Sequence, residues 1–288
     1  MDIARLLKNR VTFIIGSKKN AGKTVFLNYA VKKLRGRTRM AYLSVGIDGE
    51  GTDLVFGHPK PGILARKGDI VLTSEAGLKA TDAACEVLNV YPFHTALGRP
   101  VLIRVLRDGN IEITGPENNA QLGPVFSDIR RFGAETVLVD GAADRITQVS
   151  SKTNSAFVHV SRIAPEDLDS SLAGLRLIHS LSKVPVLPGR PGRSRGEGTF
   201  FMPGAVTPAK LEAVDKNTKR LVIENMTRIF LPLAAWKALS GKYEVYFREK
   251  FDLRAFIVNL YNISQRDFEK KLDDEQLFLK LIYNPCAI

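Results

Sequence analysis

The part of the chain that most limits its fold is residues 11–45, where two apolar strand patterns flank a loop and a helix. Residues 11–15 read VTFII and residues 40–45 read MAYLSV. Between them, a loop rich in glycine and lysine leads into a pattern that predicts a helix over 22–34, with cations gathered where the helix dipole favours them. A strand, a helix and a second strand within about 35 residues make a βαβ unit, which implies a parallel sheet.

The alternation of strand and helix patterns continues to residue 188 and predicts an α/β fold with a mostly parallel sheet flanked by helices. Further strands are predicted over 69–73, 100–106, 110–114, 135–139, 155–160 and 184–187, and helices over 75–88, 121–132 and 165–181. Residues 107–110 (RDGN) form a turn signal, so we expect the strands on either side of them to pair as an antiparallel hairpin.

A short segment, residues 189–198 (GRPGRSRGEG), separates residues 1–188 from the last third of the chain. It has no apolar anchor and is typical of a linker or a mobile loop. Residues 199–288 then predict a C-terminal α/β extension. Its expected strands cover 220–224, 243–248 and 251–260, and its expected helices cover 207–216, 231–239 and a segment that begins at Ser264 with Asp267 at the capping-box position. This extension is either a separate domain or the completion of the first sheet, and we favour completion.

The loop of residues 16–24 (GSKKNAGKT) joins the first strand to the first helix. A phosphate chain needs N–H groups at the positive end of a helix, a lysine for the outer phosphates and a hydroxyl for Mg²⁺. Gly22, Lys23 and Thr24 meet these needs, so the loop predicts a P-loop NTPase-like fold that binds ATP with Mg²⁺. We expect the nucleotide to contact Gly16, Ser17, Lys18, Lys19, Asn20, Ala21, Gly22, Lys23 and Thr24.

The first glycine of this loop departs from the G-x-x-x-x-G-K-T pattern. That pattern would place a glycine at position 17, where this chain has Ser17, and Gly16 stands one residue too early. Either the loop is one residue longer, or Ser17 takes the place of the glycine.

Carboxylates at the ends of two predicted strands are candidates for the metal and for catalysis. A P-loop site needs a second carboxylate for Mg²⁺, and Asp140, after the apolar run of residues 137–139, is the best candidate, unless it is only a turn residue. Asp48, with Glu50 and Asp53 as alternatives, contacts the metal or polarises the attacking water, or else belongs to a solvated turn. We therefore predict Lys23, Asp48 and Asp140 as catalytic residues, and Thr24 and Asp140 as metal ligands.

The remaining ionisable side chains are weaker candidates for a catalytic role. Arg145 either stabilises transferred charge or pairs with Asp144, and we favour the ion pair. The four histidines, His58, His94, His159 and His179, have no nucleophile at a suggestive spacing, and we read them as structural or surface residues. Because no predicted strand leads directly into a G-x-S-x-G elbow or a G-x-G-x-x-G segment, hydrolase-triad and NAD-dependent chemistry are poorly supported.

Charge and composition narrow the class of protein. The net charge of +12 is concentrated in residues 1–46, which carry eleven Lys or Arg against the single acid Asp2 and suit a polyanion. The two cysteines, Cys85 and Cys286, are about 200 residues apart and do not form a C-x-x-C pair, and neither has a histidine at ligand spacing. A disulfide scaffold and a structural zinc site are therefore not expected. No apolar run is long enough for a membrane span or a signal peptide, so we expect a cytoplasmic protein.

Three segments together resemble a known family: residues 16–24, residues 44–53 (SVGIDGEGTD) and residues 137–145 (VLVDGAADR). They resemble the small P-loop subunit of the lysine 5,6-aminomutase reactivating factor, over about residues 10–190. The resemblance implies an ATPase that works with a larger reactivase subunit and uses ATP and Mg²⁺ to expel damaged cobalamin from a B12-dependent aminomutase. It also implies that Lys23 and Thr24 hold phosphate and magnesium and that Asp140 is the acidic residue at a strand end. The chain itself lacks a D-x-H-x-x-G cobalamin segment.

Two other functions stay open from the sequence. A kinase or ligase of a small metabolite would use the same loop and would need an acceptor pocket, formed by the final third of the chain. A nucleic-acid-binding module would use the basic first 46 residues and the Arg-rich loop at 190–195. Because aromatic residues are not interleaved with the basic run, we do not expect nucleic acid as a partner. The absence of an N-K-x-D segment favours ATP over GTP.

Overall fold

The computed structural model describes residues 2–18, 20–45, 62–116, 118–141, 155–187 and 198–285, which form an α/β fold around a nine-stranded sheet. The strands are β1 (Val11–Gly16), β2 (Met40–Val45), β3 (Ile63–Ala65), β4 (Ile70–Ser74), β5 (Ala84–Val90), β6 (Pro100–Arg107), β7 (Gly109–Ile111), β8 (Thr136–Gly141), β9 (Ser155–Ile163), β10 (Thr199–Met202), β11 (Arg220–Ile223), β12 (Glu244–Phe247), β13 (Asp252–Leu260) and β14 (Leu281–Tyr283). The helices are α1 (Ile3–Leu7), α2 (Lys23–Leu34), α3 (Glu75–Ala80), α4 (Asn119–Arg131), α5 (Leu168–Lys183), α6 (Pro208–Glu212), α7 (Leu233–Lys242), α8 (Gln265–Leu272) and α9 (Glu275–Phe278).

The central sheet is mostly parallel, as expected, in the order β14-β13-β9-β1-β8-β2-β4-β6-β5. Only the last two neighbours, β4 with β6 and β6 with β5, pair in antiparallel fashion. The strand patterns of residues 11–15 and 40–45 and the helix pattern of 22–34 are confirmed as β1, β2 and α2. No helix within the described ranges is both long and apolar enough to cross a membrane.

Helices cover both faces of the sheet, and the chain changes face at β1. The apolar side of α2 packs with Ile14 on one face, whereas α5, which follows β9, packs with Phe13 on the other. Because α2 leads from β1 towards β2 and α5 leaves the neighbouring strand β9 in the opposite direction, a crevice opens between these two strands at their carboxyl ends. Crevices of this kind are where open α/β sheets bind ligands.

The predicted helix over residues 75–88 is wrong beyond Ala80. Thr81 ends the helix in an extended conformation. Its hydroxyl accepts a hydrogen bond from the Ala83 N–H at 3.1 Å, and the Asp82 carboxylate accepts one from the Asn110 N–H at 2.5 Å. Residues 84–90 then pair with β6 as an edge strand. Pairing with a neighbouring strand outweighs the local helical preference of this segment.

The predicted hairpin at residues 107–110 is also wrong. β7 pairs with β3 in a small two-stranded sheet instead of with the preceding strand β6. A little further on, Thr114 lies between β2 and β4, accepting a hydrogen bond from the Ser44 N–H and donating its own N–H to the Leu72 carbonyl, both at 2.9 Å. The antiparallel part of the main sheet is formed by β4, β6 and β5.

The last third of the chain contributes to two sheets. β10, β11 and β12 form a separate three-stranded parallel sheet whose core includes the buried Trp236. The predicted strand over 184–187 is wrong, since the described residues there make only a single bridge, between Val186 and Phe247. β13 and β14 then complete the nine-stranded sheet beside β9.

The helix predicted to begin at Ser264 is confirmed as α8. The Ser264 hydroxyl accepts a hydrogen bond from the Asp267 N–H at 3.0 Å, as the capping pattern predicts. The short helix α9 and the edge strand β14 that follow were not predicted. Of the predicted linker 189–198, only residue 198 lies within the described residues.

Candidate functional site

The 16–24 loop lies at the carboxyl end of β1, in the crevice where the chain changes face. The Lys23 side chain folds back over Gly16: a Cβ atom at position 16 would lie 3.1 Å from both Cγ and Cδ of Lys23. Ser17 instead continues the sheet, donating its N–H to the Val160 carbonyl at 3.1 Å. The close approach of the lysine stem therefore occurs at Gly16 and not at Ser17.

The loop ends at the N-terminus of α2, where positive charge gathers. Gly22 caps the helix in the left-handed conformation (φ 96°) and brings no side chain to the first turn. The helix dipole places partial positive charge at this end, and Lys23 adds a full charge. An anion at this position is stabilised by both.

Thr24 and Asp140 meet on the α2 face of the sheet. Side chains alternate along β8, so Asp140 points to the same face as Leu138, which packs in the core beneath α2. The Thr24 hydroxyl donates a hydrogen bond to Asp140 Oδ2 at 2.8 Å. Asp140 is only 9% exposed. A hydroxyl and a carboxylate are oxygen ligands of the kind that Mg²⁺ takes alongside phosphate oxygens and water.

Lys18 is turned towards α5. Its ammonium group forms an ion pair with the carboxylate of Asp167, the residue immediately before α5, and both side chains are partly exposed. This contact ties the middle of the 16–24 loop to the neighbouring connection at β9. Asn20, two residues further on, is in the left-handed conformation with φ 61°.

Asn259, on β13, supports the loop from the last third of the chain. Its Nδ2 donates a hydrogen bond to the Ala21 carbonyl at 3.2 Å. The same nitrogen lies 3.0 Å from where a Cβ atom on Gly22 would stand, so it also limits which residue fits there. Sequence reasoning did not identify Asn259, because nothing local to a strand asparagine indicates a partner 238 positions away.

His159, on β9, is a histidine whose pKa is affected by the charge of Lys23 in the 16–24 loop. It is buried, its ring packs edge-on against Phe256, and its Nδ1 lies 3.2 Å from the Ser161 hydroxyl. Burial, and to a smaller extent the charge of Lys23, lowers the pKa of His159 from 6.5 to about 4. His159 is therefore neutral at neutral pH, and its contacts with Phe256 and Ser161 are those of a structural residue.

Several predicted site residues lie outside the described residues. They are Lys19, Asp48, Glu50, Asp53, Asp144 and Arg145. Within the described ranges no group of three or more His, Cys, Asp and Glu side chains is placed to hold a metal ion by itself. A cation at Thr24 and Asp140 would thus take much of its coordination from a ligand and from water.

The basic residues of the first 46 positions are divided between two edges of the sheet. Lys18 and Lys23 lie at the carboxyl edge, whereas Arg10 precedes β1 and the end of α2 leads to Arg37 and Arg39 at the opposite edge. Both of the last two are in ion pairs, with Asp2 and Glu135. Among the described residues, the basic excess is therefore split between these two edges.

Comparisons of the chain with protein-family models, with curated proteins and with solved structures each found no match.

Proposed function

We propose that the chain is a P-loop nucleotide-binding protein that takes ATP with Mg²⁺ at the carboxyl edge of its central sheet. The observation that carries this proposal is the contact between Thr24 and Asp140. These two residues are the hydroxyl and the strand-end carboxylate that Mg²⁺ bound to a triphosphate requires. The position of the 16–24 loop, in the crevice between β1 and β9, agrees with it.

Each residue of the site has a defined part in this proposal. Lys23 and the first N–H groups of α2 bind the phosphate oxygens, and the absence of a side chain at Gly16 leaves room for the lysine stem. Thr24 and Asp140 hold Mg²⁺, which when bound neutralises phosphate charge and so favours phosphoryl transfer to water. Asn259 keeps the backbone at Ala21 in place.

We further propose that hydrolysis of ATP serves a partner protein, in the cytoplasm. The support for this step is the resemblance of residues 16–24, 44–53 and 137–145 to the small subunit of the aminomutase reactivating factor. On that reading, a larger subunit and a B12-dependent aminomutase are the partners. A segment that is ordered differently before and after hydrolysis is a general way to pass such a signal to a partner.

The kinase or ligase alternative gains no support from the open cleft beside α7. That cleft, of about 680 Å³, is lined by residues such as Trp236, Lys219 and Lys183. Lys183 ends α5, whereas Asp167 next to the 16–24 loop precedes it. The 16 residues of the helix separate the two places by roughly 24 Å, too far for direct phosphoryl transfer.

Titration of the purified protein with ATP and with GTP, each with Mg²⁺, tests the proposal. We expect ATP to bind the wild type, Lys23→Ala to abolish binding, and Asp140→Ala to remove its dependence on Mg²⁺. Lys32→Ala is the matched control, because it removes one exposed cation from the far end of the same helix. Failure of the wild type to bind either nucleotide, or an equal loss in Lys32→Ala, would contradict the proposal.

A further inference from the structure

An exposed pair of stacked side chains lies at the carboxyl ends of β9 and β13. The guanidinium carbon of Arg162 stands 4.5 Å from the centre of the Tyr261 ring. Tyr261 is 51% exposed, although it is a large aromatic residue. Neither side chain is part of the core clusters of the described residues.

The backbone holds this pair in place. Arg162 stands directly opposite Asn259 in the parallel register of β9 and β13, and Tyr261 donates its N–H to the Ile163 carbonyl at 2.9 Å. The guanidinium of Arg162 is held over the ring of Tyr261. A guanidinium stacked on an aromatic ring presents a flat polar surface to solvent.

The pair faces the same side of the sheet as α2 and the 16–24 loop. Val160 and Ile257 pack in the α2-side core, and the alternation of strand side chains puts Arg162 and Asn259 on that face as well. Tyr261, which follows the end of β13, contacts Arg162 there. Asn259 contacts the loop at Ala21, and Tyr261 lies two residues further on, about 7 Å along the strand direction. The pair therefore borders the site proposed for the phosphates.

We infer that Arg162 and Tyr261 form the surface on which the base of the bound nucleotide stacks. This inference rests on the proposed nucleotide binding, and it assigns the base to the β9–β13 side of the phosphates. Aromatic rings and guanidinium planes stack on any nucleobase, because every base has a π face. Stacking contributes similarly for adenine and guanine, so loss of the ring should weaken ATP and GTP to a similar degree.

The test compares ATP with inorganic tripolyphosphate, each with Mg²⁺, because the second has the phosphates without a base. We expect Tyr261→Ala to weaken ATP binding about fivefold or more and to leave tripolyphosphate binding unchanged. Arg162→Ala should act in the same direction. Phe230→Ala, which removes another exposed aromatic ring away from the strands of the site, is the control and should change neither affinity.

A second measurement uses Tyr261→Trp, which retains a stacking ring. We expect it to bind ATP at least as well as the wild type, with its added fluorescence quenched by ATP and not by tripolyphosphate. If both ligands bind the wild type and the variants change neither affinity, or change both equally, the base surface is wrong and the phosphate site stands. If neither ligand binds the wild type, the proposed function and this inference are both wrong.

Discussion

The Thr24 hydroxyl on α2 and the Asp140 carboxylate on β8 are joined by a hydrogen bond of 2.8 Å, across 116 positions of sequence. The contact arises because β8 is the parallel neighbour of β1, with Asp140 opposite Ile14. Since α2 begins directly after the loop that leaves β1, its first turn lies above the carboxyl end of β8. The hydroxyl and the carboxylate that we propose to hold Mg²⁺ are thereby brought together.

Removal of the Thr24 hydroxyl should weaken Mg²⁺-dependent binding of ATP. We expect Thr24→Val to lower the affinity for ATP with Mg²⁺ by about tenfold or more. The reason is that a hydrogen bond or a metal contact involving a charged group contributes more free energy than a hydrogen bond between neutral groups. Thr24→Ser keeps the hydroxyl and should retain most of the affinity. Titrations with Mg²⁺ and with a chelator measure this; equal losses under both conditions would show that the hydroxyl does not act through the metal.

The left-handed glycine before α2 should matter for binding as well as for stability. Gly22→Ala introduces a Cβ at φ 96°, within 3.0 Å of the Asn259 amide nitrogen, and should cost about 1–2 kcal/mol in the free energy of unfolding. Gly36→Ala is the matched control, because Gly36 is also left-handed (φ 72°) and its Cβ would meet no atom within 4 Å. Denaturant unfolding should show similar losses in the free energy of unfolding for Gly22→Ala and Gly36→Ala. Of the two variants, only Gly22→Ala should reduce the affinity for ATP. Reduced affinity in both would point to a general effect of stability.

Loss of the Asn259 amide should loosen the loop. We expect Asn259→Ala and the similarly sized Asn259→Leu to reduce ATP affinity about fivefold, the value of one hydrogen bond of about 1 kcal/mol. Amide hydrogen exchange should be faster around Ala21 in both variants. Unchanged exchange in this loop would mean that the hydrogen bond does not hold it.

Stability should fall in mild acid because of His159. Its pKa is near 6.5 in the unfolded chain and about 4 in the folded one, so between these values the unfolded state binds more protons. The free energy of unfolding should therefore decline by up to about 3 kcal/mol as the pH falls through that window, and then level off. The free energy of unfolding of His159→Phe should decline less over the same pH range. Urea unfolding across the window measures both proteins, and identical slopes would contradict the assignment.

His179 offers a comparison for this prediction. Burial is also the largest cause of the lowered pKa of His179, which lies on α5 away from the loop. His179→Phe should therefore reduce the acid sensitivity of unfolding as well. Of these two histidines, His159 is the one coupled to the charge of Lys23, so ATP binding should shift the pH dependence of the wild type more than that of His159→Phe.

The sequence was most informative where the determinants are local. The apolar runs of β1 and β2, the periodicity of α2 and the cap at Ser264 are each contained within a few residues, and the structure has them at the expected places. The edge strand β5 was missed because only its pairing with β6 decides between strand and helix. The residues Asn259, Arg162 and Tyr261 were missed because their positions depend on the strand order of the sheet, which joins distant segments.

The most direct test of the account locates the bound nucleotide on the chain by amide hydrogen exchange, with and without ATP and Mg²⁺. We expect protection over the 16–24 loop and the first turn of α2, around Asp140, and at the carboxyl ends of β9 and β13. Lys23→Ala should lose this protection. Protection confined to the cleft lined by Trp236 and Lys219, or none at saturating ATP, would contradict the nucleotide site proposed at the 16–24 loop.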